Sequence, residues 1–71
     1  MVQLTTWNIY TPDGHYLGQY PAFAPQTALC EYMSLQGKPV IASEVHRHQI
    51  DEDSEKLTYR TAEFILTNGS S

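Results

Sequence analysis

The 71-residue chain predicts an α+β fold of ββαββ order: a four-stranded, mostly antiparallel sheet with one helix packed on one face. Three observations carry this expectation. Period-two runs of aromatic and β-branched residues lie toward both ends of the chain. Between them sits an apolar stripe spaced by threes and fours, and turn-forming residues punctuate the junctions.

Residues 4–11, LTTWNIYT, read as a half-buried strand, with Trp7 and Ile9 on one face and Thr6, Asn8 and Tyr10 on the other. Thr11-Pro12-Asp13-Gly14 ends it, because Pro presets φ at the second position of a turn and Gly supplies a positive φ. His15 to Tyr20 returns as the second strand, where Gly18 predicts a bulge or a close approach. Pro25 suits the first position of a helix, and Ala28, Leu29, Tyr32, Met33 and Gln36 then form one face, with Thr27, Glu31 and Ser34 pointing away. Gly37 and Pro39 stop the helix, giving roughly residues 25–36.

Two runs remain, 40–50 (VIASEVHRHQI) and 56–66 (KLTYRTAEFIL), separated by Asp51-Glu52-Asp53-Ser54-Glu55 and read as one long hairpin with an acidic tip. Their apolar face switches phase. Val40, Ala42, Ala62, Phe64 and Leu66 alternate one way, Val45, Leu57 and Tyr59 the other, which requires a bulge or a sheet covered at its second end by a partner.

At this length one domain is expected, spanning residues 1–67, with 68–71 a disordered tail or cloning remnant. A core this small buries only about 60% of the unfolded chain's surface, so a stabilising partner or staple is expected. Cys30 is the single cysteine, which excludes an intramolecular disulfide and favours a reducing compartment. The opening twenty residues lack a basic segment followed by an apolar run, and no later stretch is long enough to span a bilayer. A cytoplasmic protein with no membrane association is the resulting expectation. The net charge of −4 repels a phosphate backbone and disfavours nucleic acid as a partner.

His46 and His48, two apart on a strand, leave the same face and are the metal candidates, with His15, Glu44 or Glu63 as a third ligand. Closed zinc sites need four ligands, so a solvated face is preferred and no metal or other cofactor is expected. His46, Arg47, His48 and Arg60 form the candidate nucleic-acid or ligand face. Few bases support it, and core filling accounts for the nearby aromatics. The acidic tip lacks the central glycine of a calcium loop. Cys30 has no neighbouring base, and Asp13 and His15 flank a turn without a completing oxyanion donor. No enzymatic activity is therefore expected. Strand–turn–strand–helix openings of this kind recur in many small bacterial proteins, and they transfer no activity.

The leading expectation is a small non-enzymatic protein-interaction module, an accessory or regulatory subunit, binding itself as a homodimer or another protein. Val45, Leu57, Tyr59, Tyr16 and Tyr20 are its candidate interaction residues, because aromatic side chains are enriched where surfaces desolvate on association. The alternative is a nucleic-acid-binding or antitoxin-like regulator using the His/Arg face.

Overall fold

The first hairpin forms where the alternation and the turn chemistry agree. The computed structural model describes residues 4–69. Strand β1 (Thr5–Tyr10) pairs antiparallel with β2 (Tyr16–Ala22). In the connecting turn the Gly14 N–H donates to the Thr11 carbonyl at 2.9 Å and Gly14 adopts φ 95°. The Thr11 hydroxyl donates to the Asp13 carboxylate, holding that carboxyl below its ordinary range. The expected irregularity at Gly18 is present. Ile9 faces Gly18 and Tyr10 faces Tyr16, so β2 carries one extra residue, and Gly18 sits at φ 152°.

Helix α1 (Pro25–Leu35) starts with its proline at the first turn and has no side-chain cap. It ends in a complete Schellman motif: Lys38 N–H donates to the Met33 carbonyl at 2.9 Å, Gly37 N–H donates to Ser34 at 3.0 Å, and Gly37 takes φ 76°. Ala28 and Leu29 are buried, while Thr27, Glu31 and Ser34 are exposed, as the stripe predicts. The Tyr32 ring ties the helix to two strands, meeting Tyr20 at 5.8 Å and Phe64 at 6.3 Å in tilted, edge-to-face contacts.

The second half corrects the expected strand count. The chain forms five strands, not four: β3 (His46–Asp51), β4 (Ser54–Tyr59) and β5 (Ala62–Asn68), all antiparallel, in the sheet order β2-β1-β5-β4-β3. Residues 40–45 are a loop containing a single 3-10 turn, Ala42–Glu44. The run 56–66 folds back on itself at Arg60 and Thr61, so that Tyr59 lies opposite Ala62 and Leu57 opposite Phe64. This hairpin explains the phase switch without a second covering layer. A two-residue connection makes residues three apart direct neighbours on one face, so Leu57, Tyr59, Ala62, Phe64 and Leu66 all share the helix side. Arg60 accepts φ 57° to make the turn, a left-handed conformation that is costly for a residue with a Cβ.

Strand β5 is the middle strand and β1 lies beside it, with Ile9 directly opposite Leu66 and both at 0% exposure. Around them Trp7, Ala22, Ala28, Leu29, Leu57 and Phe64 complete one core cluster. The Trp7 indole N–H has no hydrogen-bond partner among the described residues, a cost of about 1–3 kcal/mol that burial of the ring offsets. Sheet structure continues into the expected tail: Asn68 closes β5 and Gly69 N–H donates to the Thr6 carbonyl at 2.7 Å. Ser70 and Ser71 lie outside the described residues. No helix among the described residues is long and apolar enough to cross a membrane.

Domains of this size have a total stability of about 4–11 kcal/mol at roughly 0.05–0.15 kcal/mol per residue. Leu29→Ala, at a side chain with 0% exposure, should therefore remove about 2–5 kcal/mol and most of the folded population's margin. Leu35→Ala, six residues along the same helix but 68% exposed, should change urea-unfolding stability by less than about 0.5 kcal/mol. At the tight turn, Arg60→Gly should be more stable than Arg60→Ala by about 1 kcal/mol. Both variants lose the same side chain and differ in the left-handed backbone it must adopt.

Candidate interaction surfaces

An antiparallel sheet with one helix has an open face, and direct pairing identifies what lies on it. One row crosses all five strands, from His48 through Lys56, Ile65 and Tyr10 to Tyr16. His46, Thr58 and Glu63 form a second, shorter row. Lys56 Nζ lies 2.9 Å from Glu63 Oε1, and the Tyr10 and Tyr16 rings meet at 5.3 Å. The histidines thus stand on the open face, His48 directly opposite a lysine. Among the described residues no group of three or more His, Cys, Asp or Glu side chains is placed to hold a metal ion.

Arg47 leaves the other face. Its Nε and Nη2 donate to the two Glu55 oxygens, both at 2.8 Å, and its Nη1 donates to Gln26 Oε1 at 3.0 Å on the first turn of α1. The paired carboxylate raises the guanidinium's pKa further above its ordinary value. Arg60 sits at the β4–β5 turn, over the Tyr59 ring at 5.1 Å and 3.9 Å from Glu44 Oε1. The residues of the His46, Arg47, His48 and Arg60 group are therefore divided between two faces and a turn. Period-two geometry alone separates Arg47 from its neighbouring histidines and joins it instead to Glu55, a partner the sequence reading missed along with Gln26.

The five candidate interaction residues are also divided. Leu57 at 0% and Tyr59 at 9% exposure fill the chain's own core, and Val45 and Tyr20 are half-buried against it. Tyr16, at 53%, is on the open face. Their aromatic and aliphatic character, read as an association signal, is used for Leu57 and Tyr59 to build the domain itself. Burial raises the half-buried Cys30 thiol pKa. At the far end of the helix Tyr32, Met33, Gln36, Lys38, Ala62 and Phe64 line an open cleft of about 450 Å³.

The sheet's two edges differ most. Edge strand β2 is interrupted by Pro21, which has no N–H to donate, and by the bulge at Gly18, and α1 packs chiefly over this strand. Edge strand β3 has neither Pro nor Gly, and all six of its residues are exposed. Among the described residues no strand pairs with its outer side. Gln49 Nε2 donates to the Asp51 carbonyl at 3.0 Å, and Asp53 N–H donates to Asp51 Oδ1 at 2.9 Å, which shapes the acidic turn at its end.

No protein-family model matches this chain, and no curated protein or solved structure shows significant similarity to it.

The Arg47 and Glu55 side chains are 43% and 15% exposed, so their coupling should be that of a well-aligned surface pair, about 0.5–1 kcal/mol in a double-mutant cycle. Arg47→Lys should lose most of that coupling in urea-unfolding measurements, because one ammonium cannot reproduce the two parallel bonds.

Proposed function

We propose that this chain is a small non-enzymatic protein-interaction module, an accessory or regulatory subunit that works as a homodimer. One observation carries the reading: the sheet ends on one side in a strand that is exposed at every position and has no backbone partner on its outer side among the described residues. Such an edge is a template for another strand. The opposite edge carries Pro21, which has no N–H to donate, and lies under α1, whereas β3 has no proline and, among the described residues, no helix over it, and shares with β2 only a register shift, here between Gln49 and Asp51.

The size of the core supports association as well. One helix of eleven residues faces five strands, and domains of this length gain stability from subunit contacts. A catalytic reading has less support: Asp13 and His15 lie in the first turn, Cys30 on α1 and His46 and His48 on β3, and the Asp13 carboxylate is engaged within its own turn.

Light scattering coupled to gel filtration tests the reading across loading concentrations. The expected outcome is a mass that rises from that of the 8.1 kDa chain toward twice that value with concentration. A folded species that stays monomeric up to several hundred micromolar overturns the homodimer.

A further inference from the structure

We infer that the homodimer forms by antiparallel pairing of β3 with β3 of a second copy, about a twofold axis at Gln49, into one continuous ten-stranded sheet. This deepens the homodimer reading and rests on it. The argument starts from symmetry. Two copies of one strand can run antiparallel in a single sheet only about a twofold axis perpendicular to that sheet, which sets one residue opposite itself and the others opposite at equal offsets.

Charge then selects the centre. The strand and its turn read His46-Arg47-His48-Gln49-Ile50-Asp51-Glu52-Asp53, basic or protonatable in the first part and acidic in the last. Centring on Gln49 sets Arg47 against Asp51 of the second copy and His48 against its Ile50, and brings His46 toward Glu52 at the start of the second copy's turn. Opposite charges facing across strands are favourable, and like charges are not. Centring on His48 would instead set that histidine against itself and Arg47 against Gln49, leaving the acidic part without a basic counterpart, and centring on Ile50 would oppose Arg47 to Asp53 and His48 to Glu52, acids of the turn beyond the end of β3, with only Gln49 to Asp51 left in the ladder. The β3–β4 register shifts between Gln49 and Asp51, beside the axis, so the complementarity acts between the two halves of the strand as blocks. Ile50, 52% exposed on a strand otherwise polar, loses water on this pairing.

The other edge explains why such pairing closes. If β3 of one copy paired with β2 of the next, the contact would be head-to-tail and would extend into a fibre. Pro21 and the Gly18 bulge obstruct that pairing. The self-paired arrangement uses up the one receptive edge of each copy and stops at two. The contact is short, so a micromolar dissociation constant is expected, in keeping with small interfaces.

Cross-linking and charge exchange test the inference together, in a Cys30→Ser background that leaves no other thiol. Gln49→Cys should form an intermolecular disulfide in a mild redox buffer, because residues opposite across a ladder have Cα atoms about 4.5–5.5 Å apart. Gln19→Cys, exposed on the β2 edge, should not. His46→Glu with His48→Glu puts an acid on either side of Arg47, the one base left in the strand, and should weaken self-association at least tenfold. Glu52→Lys with Asp53→Lys removes acidic charge at the other end and should weaken it too. An equimolar mixture of these two double variants should regain a heterodimer. Circular dichroism confirms that each variant folds, since all four substituted residues are exposed. A dimer that neither cross-links at position 49 nor responds to the charge exchange overturns this pairing and leaves the homodimer standing. A chain that stays monomeric overturns both.

Discussion

The pairing of the first strand with the last is the constraint on which the structure depends. Strand β5 is the middle strand and β1 lies beside it, and their ladder from Trp7–Asn68 to Tyr10–Ile65 joins the N-terminal hairpin to the C-terminal three-stranded meander. Every other strand contact is local, made between strands that adjoin in sequence. The β1–β5 ladder closes a loop of more than fifty residues, and its entropy must be recovered by burial. Ile9 and Leu66, opposite each other and without exposed surface, supply that recovery at the centre of the core. The helix gains from it, because Tyr32, which meets Tyr20 of β2, also reaches Phe64 of β5 once the two halves are one sheet.

A second consequence is geometrical. Five strands spaced about 4.8 Å apart span roughly 19 Å from first to last, whereas a helix with its side chains is about 10 Å across. One helix therefore covers about two strands, and α1 packs mainly over β2. The helix side of the remaining sheet is closed by other means. Val45 from the incoming loop packs against the core, and the Arg47–Glu55 pair, tied to Gln26 at the start of the helix, forms a polar margin beyond Leu57. The same side chain that looks like a spare cation in the sequence is thus the link between the uncovered strands and the helix. Its aliphatic stem and its forked head suit that position better than a lysine would.

Much of this was legible, and the parts that were not have physical reasons. The first hairpin and the helix were readable because each junction is marked by a residue with one strong conformational bias: Pro12, Gly14, Pro25 and Gly37 all do locally what their chemistry predicts. The β4–β5 turn was not, because Arg60 and Thr61 have no such bias and the turn is imposed by the strands on either side. Its signal was nevertheless present as the change of phase between Tyr59 and Ala62. Alternation that inverts across two residues is what a two-residue hairpin produces, as well as what a bulge or a second covered surface produces. Taking the last of these as a docking signal placed Leu57 and Tyr59 at an interface, while the structure places them in the core. Candidate surfaces are harder to read than strands for a related reason. Exposure of β3 depends on which strand ends up at the edge, and that order is set by the β1–β5 pairing fifty residues away in the chain.

The composition of that edge resolves an apparent conflict. Histidines, an arginine and an acidic turn are the residues that protect an exposed strand from indiscriminate pairing, since most registers would oppose like charges or leave charges desolvated. Charges arranged in mirror order, alternating along the strand or all of one sign, would exclude every copy equally. Here the signs are ordered end to end, basic then acidic, which is the order that the proposed antiparallel pairing uses. Protection and recognition are then the same feature seen in different registers. On the proposed pairing, the charge order of the open β3 edge takes the part that proline and the bulge take on β2, limiting the registers in which a second strand can dock.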